Sequence, residues 1–139
     1  MSIFEASRSP WTDRVLSIFR IVAGFMFVTY GTMKLFDYPH IGYPGFPVHD
    51  LLTKTGIAGI LETFGGLLIT LGLLTRPVAF ILSGEMAFAY FLGHASKSFF
   101  PTINEGTPAV FYCFFFLYLI FAGAGPWSID ALIARSRRA

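Results

Sequence analysis

Five ionisable side chains lie within or beside apolar runs of this sequence, where an unpaired charge is expensive. They are Arg20, Lys34, Glu62, Glu85 and His94. A carboxyl group in apolar surroundings can hold and release protons, and a cation beside it can polarise the oxygen of a ligand. Glu85 is the most isolated of the five, because the stretch SGEMAFAYFLGH around it contains no other Asp, Glu, Lys or Arg. It therefore requires a cationic partner, a bound proton or a function.

Membrane-spanning helices must position these side chains. The chain has 139 residues, of which 55% are hydrophobic and 13% charged, whereas about 25% of the residues of a soluble domain are charged. Four apolar runs, at about 14–36, 57–74, 77–95 and 107–124, are each close to the roughly 20 residues with which a helix crosses a bilayer. We therefore predict an all-α fold, an antiparallel four-helix bundle in the membrane that forms a single domain over residues 1–139.

The positions of lysine and arginine predict the orientation of this bundle, because short basic loops stay in the cytoplasm. One side of the four-crossing path carries Arg8, Arg14, Arg76, Arg135, Arg137 and Arg138. The loops on the opposite side carry only Lys54 and Lys97. We expect a multi-pass protein of the bacterial inner membrane with both termini in the cytoplasm.

Helical geometry groups the interior charges, since each residue advances a helix by about 1.5 Å and 100°. One face of the first helix carries Arg20, Gly24, Gly31 and Lys34. Small and charged residues also share a face of the second helix, and Glu85, Ala89 and Gly93 share one on the third. Small residues let membrane helices approach closely, so these faces should meet in the bundle centre. Lys34 and Glu62 lie at similar depths and should form a pair. Glu85, near the midplane, should either pair with Arg20 or carry a proton.

Two interpretations of these charges stay open. In the functional one, Glu85 and Glu62 handle protons, and the residues that contact a ligand such as a quinone are Arg20, Lys34, His94 and Tyr90. In the structural one, the charges form buried pairs that only fix the helix register. The midplane depth of Glu85 favours the functional interpretation for this residue. The aromatic run VFYCFFFLYLIF predicts a wall that faces lipid or a partner, and secondarily a site for a flat ring.

Other function classes find little support in the sequence. The net charge of +2 is dispersed, which argues against a nucleic-acid partner. A single cysteine, Cys113, excludes an internal disulfide and a C-x-x-C pair,. The histidines and aspartates of the loop at 37–56 match no metal-site spacing, so we predict no metal. Electron chemistry would have to come from a bound cofactor or a partner protein.

The sequence resembles the DoxX family of small four-helix membrane proteins. The motifs that carry the resemblance are RIVAGFMFVTYGTMKLF, LETFGGLLITLGLLTRPVA, GEMAFAYF and FAGAGPWSIDALI, in this order along nearly the whole chain. The family's recurring polar positions correspond to Arg20, Lys34, Glu62, Glu85, Asn104 and Asp130. Relatives commonly carry an acid just before the fourth helix, where this chain has Thr107, with Glu105 two residues earlier.

The resemblance implies a link to quinol oxidation, sulfur-compound oxidation and defence against oxidative stress. We therefore expect a redox accessory subunit that binds a quinone or docks a redox partner protein within the lipid bilayer. Two alternatives stay open: a non-catalytic scaffold or assembly factor, and a small carrier of protons or a solute. The resemblance leaves open whether the protein is an enzyme and whether it forms a homo-oligomer.

Overall fold

The computed structural model describes residues 9–138, and all regular structure in that range is helical. The helices are α1 (Pro10–Phe36), α2 (Lys54–Leu71), α3 (Thr75–Ala89, continued by a π-helical turn over Tyr90–His94), α4 (Thr107–Ala122) and α5 (Ile129–Ser136). The all-α prediction is confirmed. The four apolar runs of the sequence largely coincide with α1 to α4, whereas α5 is an additional short helix. It is separate from α4 because the chain leaves the helix at Gly123, whose φ is +77°.

Within residues 9–138, α1 and α2 are long and apolar enough to cross a membrane, and α4 is a shorter apolar helix. Large apolar side chains are exposed along all of the first four helices; examples are Phe25, Phe64, Phe80, Phe88, Phe111 and Phe121. Soluble monomers rarely expose contiguous apolar surface on this scale, whereas lipid covers it in a membrane. The exposed apolar surface is therefore consistent with a membrane protein.

Helices α1 and α2 pack closely along their small-residue faces. A Cβ atom added to Gly24 would lie 2.8 Å from the backbone nitrogen of Thr70, and one added to Gly31 would meet Thr63 and the backbone of Gly59. Only glycine permits such an approach of two helix backbones. The predicted meeting of these two faces is confirmed.

The third small-residue face was only partly predicted correctly. Gly93 is exposed, and a Cβ added there would contact nothing within 4 Å among the residues described. The reason is the π-helical turn over Tyr90–His94, because a π turn inserts extra residue length and rotates later residues away from their α-helical positions. Gly93 consequently does not face the bundle centre.

The apolar core lies between α3, α4 and the first two helices. Its fully buried members are Phe27, Ile69, Ala79, Leu82, Phe116 and Leu119. The ring of Phe27 packs edge-on against that of Phe116, with 4.9 Å between their centroids, and Leu82 fills the space opposite Gly65. This packing holds α1 and α2 against α3 and α4, so that polar groups on the inner faces are brought together.

Candidate functional site

The first polar cluster, which we call the carboxylate centre, consists of Lys34, Glu62 and Glu85. Lys34 lies in the last turn of α1 and Glu62 in a π-helical segment of α2, Leu61–Gly65. The Lys34 Nζ atom is 2.5 Å from both carboxylate oxygens of Glu62. The Glu62 side chain is only 4% exposed and that of Lys34 21%. The ion pair predicted from depth is therefore present.

Glu85 completes this centre from α3. Glu62 lies nine residues before Leu71, the last residue of α2, and Glu85 lies ten residues after Thr75, the first residue of α3. Because α2 and α3 run antiparallel through the short turn between them, the two carboxyl groups are level. Glu85 lies close enough to both Glu62 and Lys34 for direct electrostatic interaction.

Within the described range, the Glu85 carboxyl group has no cation or backbone donor of its own, and its nearest polar neighbour is the Glu62 carboxyl group, to which it can be joined by a shared proton. Both of its oxygens are buried, and neither has a hydrogen-bond partner among residues 9–138. Burying such a group without a partner costs several kcal/mol, so native structures nearly always provide one. A proton shared with Glu62, or a polar atom of a ligand, can stabilise the Glu85 carboxyl here.

Aromatic side chains from α1 and α4 border the carboxylate centre. The ring of Tyr112 lies 4.8 Å from that of Phe27 and 6.1 Å from that of Tyr30, between centroids. Tyr112 also interacts electrostatically with Glu62. The prediction that the aromatic run of α4 faces lipid or a partner is thus wrong for Tyr112, and also for Phe116 and Leu119, which are fully buried in the core.

Tyr90 and His94 belong to a different network, which fixes the loop between α3 and α4. The Tyr90 hydroxyl donates to the Phe99 carbonyl, and the buried Asn104 amide donates to the Tyr90 hydroxyl at 3.3 Å and to the Ser98 carbonyl at 2.6 Å. His94 Nδ1 lies 2.9 Å from the Asn104 carbonyl. Because a carbonyl only accepts, Nδ1 donates the proton of this hydrogen bond. Ligand binding by Tyr90 and His94 stays a prediction.

Arg20 forms the second polar cluster, the arginine centre, and it does not pair with Glu85. Its guanidinium group is fully buried and donates to four backbone carbonyls. The acceptors are Ala124 at 2.7 Å and Ile69, Thr70 and Trp127 at 2.6 Å each. The last carbonyls of a helix lack partners within the helix and attract a cation. The alternative in which Arg20 neutralises Glu85 is therefore wrong, while a ligand-binding role of Arg20 stays a prediction.

Asp130 adds a carboxylate to the arginine centre. Its two oxygens accept hydrogen bonds from the backbone nitrogens of Leu74 and Thr75, both at 2.9 Å, at the start of α3, and it interacts electrostatically with Arg20. An acid is favourable at a helix N-terminus. The arginine centre thereby joins α1, the turn between α2 and α3, and the segment between α4 and α5, which gives it a structural role.

The two clusters differ in the kinds of groups that they contain. In the arginine centre every hydrogen bond described above joins a side chain to backbone, whereas the carboxylate centre holds two acids and one cation, bordered by a phenol, among apolar groups. Both π-helical segments lie at residues singled out in the sequence, Glu62 in one and Tyr90 with His94 in the other. Such segments occur frequently at functional sites. The carboxylate centre is therefore the candidate functional site.

Comparison with known proteins agrees with the motifs. The sequence pattern of the DoxX family matches residues 15–95, a range that contains the whole carboxylate centre. A protein of Haemophilus influenzae, described as uncharacterized, is 42% identical over 120 residues, which cover 83% of this chain and 87% of that protein. No solved structure matches the chain. This helical membrane protein therefore belongs to the DoxX family.

Proposed function

We propose that this protein is a redox accessory subunit of the bacterial cytoplasmic membrane, which binds a quinone at the carboxylate centre. One observation carries the proposal: among residues 9–138 the buried Glu85 carboxyl has no cation or backbone donor of its own and can share only a proton with Glu62, although it lies beside the Lys34–Glu62 pair. A quinone has carbonyl oxygens that can accept a hydrogen bond from a protonated carboxyl group. Its reduction to a quinol takes up two electrons and two protons. A redox partner protein would supply the electrons, and Glu85 would pass the protons.

The other members of the centre and the aromatic rings that border it have complementary roles in this proposal. The Lys34 ammonium has three N–H donors. Two of them can be assigned to the two carboxylate oxygens of Glu62, so the third can polarise a quinone oxygen. The Lys34–Glu62 pair keeps the Lys34 charge at a fixed position. The rings of Tyr112 and Phe27 supply an aromatic surface against which a flat ring can stack.

Four spans with both termini in the cytoplasm are part of the proposal. Arg76 lies at the start of α3 and α5 carries Arg135, at the same end of the molecule as the arginine centre, whereas Lys54 and Lys97 lie at the other. Reporter fusions after Gly45, Arg76 and Phe100 should read outside, inside and outside. An outside reading after Arg76 would overturn the topology.

A second candidate function is a non-catalytic scaffold or assembly factor. It is favoured by the contacts of the two interior cations, since Arg20 binds backbone carbonyls and Lys34 binds Glu62. In this function the polar groups only specify one helix arrangement, and an exposed loop or α4 holds a partner protein. Glu85 distinguishes the two candidates, because a scaffold needs no ligand there.

Quinone content tests the proposed function. The protein is purified in mild detergent, and extracted quinone is quantified by mass and ultraviolet absorption for the wild type, Glu85→Gln and Glu105→Gln. Glu105 is exposed, so its variant is a matched control for the chemical change. We expect quinone in the wild type and in Glu105→Gln and a large loss in Glu85→Gln at unchanged thermal stability. Equal quinone in all three, or a co-purifying protein without quinone, would refute the proposal.

A further inference from the structure

A groove at the arginine-rich end of the molecule combines apolar and basic side chains. It has a volume of about 470 Å³ and lies between the turn that joins α2 to α3 and the outer face of α5. Leu73, Leu74 and Ile133 line it together with Arg137 and Arg138. It is distinct from the carboxylate centre, which lies two to three helical turns away along α2 and α3.

The side chains that line this groove carry a net positive charge, because two arginines face one aspartate. Asp130 also lines it, but both Asp130 oxygens accept hydrogen bonds from the backbone at the start of α3. Arg137 and Arg138 are exposed at the end of α5. An anionic group of a ligand is therefore favoured at the arginines.

The walls of the groove require an apolar part of the same ligand. Leu74 is 58% exposed and Ile133 is 40% exposed, next to the two arginines. Inorganic phosphate would satisfy the guanidinium groups and leave these side chains in water. Basic pockets at the cytoplasmic ends of membrane helices bind lipid head groups, and guanidinium groups match phosphate geometrically.

We propose that this groove binds an anionic phospholipid, with the phosphate at Arg137 and Arg138 and the first part of an acyl chain against Leu73, Leu74 and Ile133. Charge complementarity selects the head group, and the apolar wall selects a lipid over a free anion. The bound lipid joins α5 to the turn between α2 and α3. It thereby stabilises the segment in which Asp130 and Arg20 make their backbone contacts.

Thermal unfolding of the full-length, delipidated protein in neutral detergent tests this proposal. The additions are phosphatidylglycerol, phosphatidylcholine of the same acyl chains, and inorganic phosphate. Two double variants are compared with the wild type. The groove variant combines Arg137→Gln with Arg138→Gln, and the control variant combines Arg14→Gln with Arg135→Gln. The control removes the same charge from exposed arginines that do not line the groove. Native mass spectrometry counts bound lipid in each sample.

We expect phosphatidylglycerol to raise the unfolding midpoint of the wild type and the control, and phosphatidylcholine and phosphate to have little effect. The groove variant should bind phosphatidylglycerol at least about tenfold more weakly, because it loses charge-assisted contacts to the phosphate. Three outcomes would overturn the site. The control variant could lose as much phosphatidylglycerol binding as the groove variant, which indicates general surface attraction. Inorganic phosphate could raise the unfolding midpoint as much as phosphatidylglycerol does, or the groove variant could bind the lipid as well as the wild type.

Discussion

The ammonium group of Lys34 lies 2.5 Å from each carboxylate oxygen of Glu62 and joins the end of α1 to the middle of α2. This pair stands beside a third ionisable group, Glu85, that has no such partner among the residues described. The Lys34 charge is therefore shared by two acids, of which only one is in contact with it. Because two acids lie beside one ammonium group, the second acid can take up a proton or bind a ligand, whereas an ion pair of one acid and one cation has no such free group.

Removal of one member of the Lys34–Glu62 pair should destabilise the protein more than removal of both. Lys34→Met leaves a nearly buried carboxylate, and Glu62→Met leaves a partly buried ammonium, whereas the double variant leaves neither. We expect each single change to lower the free energy of unfolding by about 2 kcal/mol, below the 3–5 kcal/mol of a fully buried pair because Lys34 is 21% exposed,. A double-mutant cycle by denaturant unfolding measures the coupling, and strictly additive losses would contradict it.

Arg20→Lys should be strongly destabilising although it preserves the charge. Lysine lacks the planar fork of donors, so some of the four carbonyls that Arg20 satisfies would lose their partner, at about 1–3 kcal/mol for each buried acceptor. Arg76→Lys is the control, because Arg76 is exposed and makes one bond, to the Ile120 carbonyl at 3.0 Å. We expect a loss of about 3 kcal/mol for Arg20→Lys and under about 1 kcal/mol for Arg76→Lys. Similar unfolding curves for the two variants would refute the structural role of Arg20.

Gly31→Ala should loosen the contact between α1 and α2. The added methyl group would clash with Thr63 and the Gly59 backbone, and overpacking of this kind costs about 1–3 kcal/mol. Gly84→Ala is the matched control, since its Cβ would meet nothing within 4 Å among residues 9–138. Alanine should be neutral there or stabilise the helix by up to about 1 kcal/mol. Equal unfolding midpoints for both variants would contradict the close approach at Gly31.

Helix class and the Lys34–Glu62 pair could be predicted from the sequence because apolar run length and residue rise determine the depth of each side chain. The partners of Arg20 could not. They are backbone carbonyls, which every residue has and no sequence motif marks. The depth of Arg20 suggested a carboxylate partner, but the free carbonyls at the end of α2 lie nearer.

Two other features escaped prediction for local backbone reasons. The π-helical turn at Tyr90–His94 changes the rotation per residue, so Gly93 faces outward although α-helical periodicity placed it inward. The inward orientation of Tyr112 depends on how α4 is rotated about its axis, and the uniformly apolar sequence of α4 provides no amphipathic pattern to determine that rotation. Packing against Phe27 and Phe116 does so, together with a hydrogen bond that the Tyr112 hydroxyl donates to the Ala23 carbonyl at 3.5 Å.

The most direct test of the account is whether the Glu85 carboxyl contacts the quinone. Infrared difference spectra between ligand-free and quinone-loaded protein in nanodiscs report the carbonyl stretch of a protonated carboxyl group. For the wild type and Glu105→Gln we predict a shift of one carboxyl band on loading, because a new hydrogen bond to the quinone weakens that C=O bond. The band should be missing from the Glu85→Gln spectrum. A spectrum without any carboxyl change, or the same shift in Glu85→Gln, would contradict the assignment of Glu85 as the ligand-binding group.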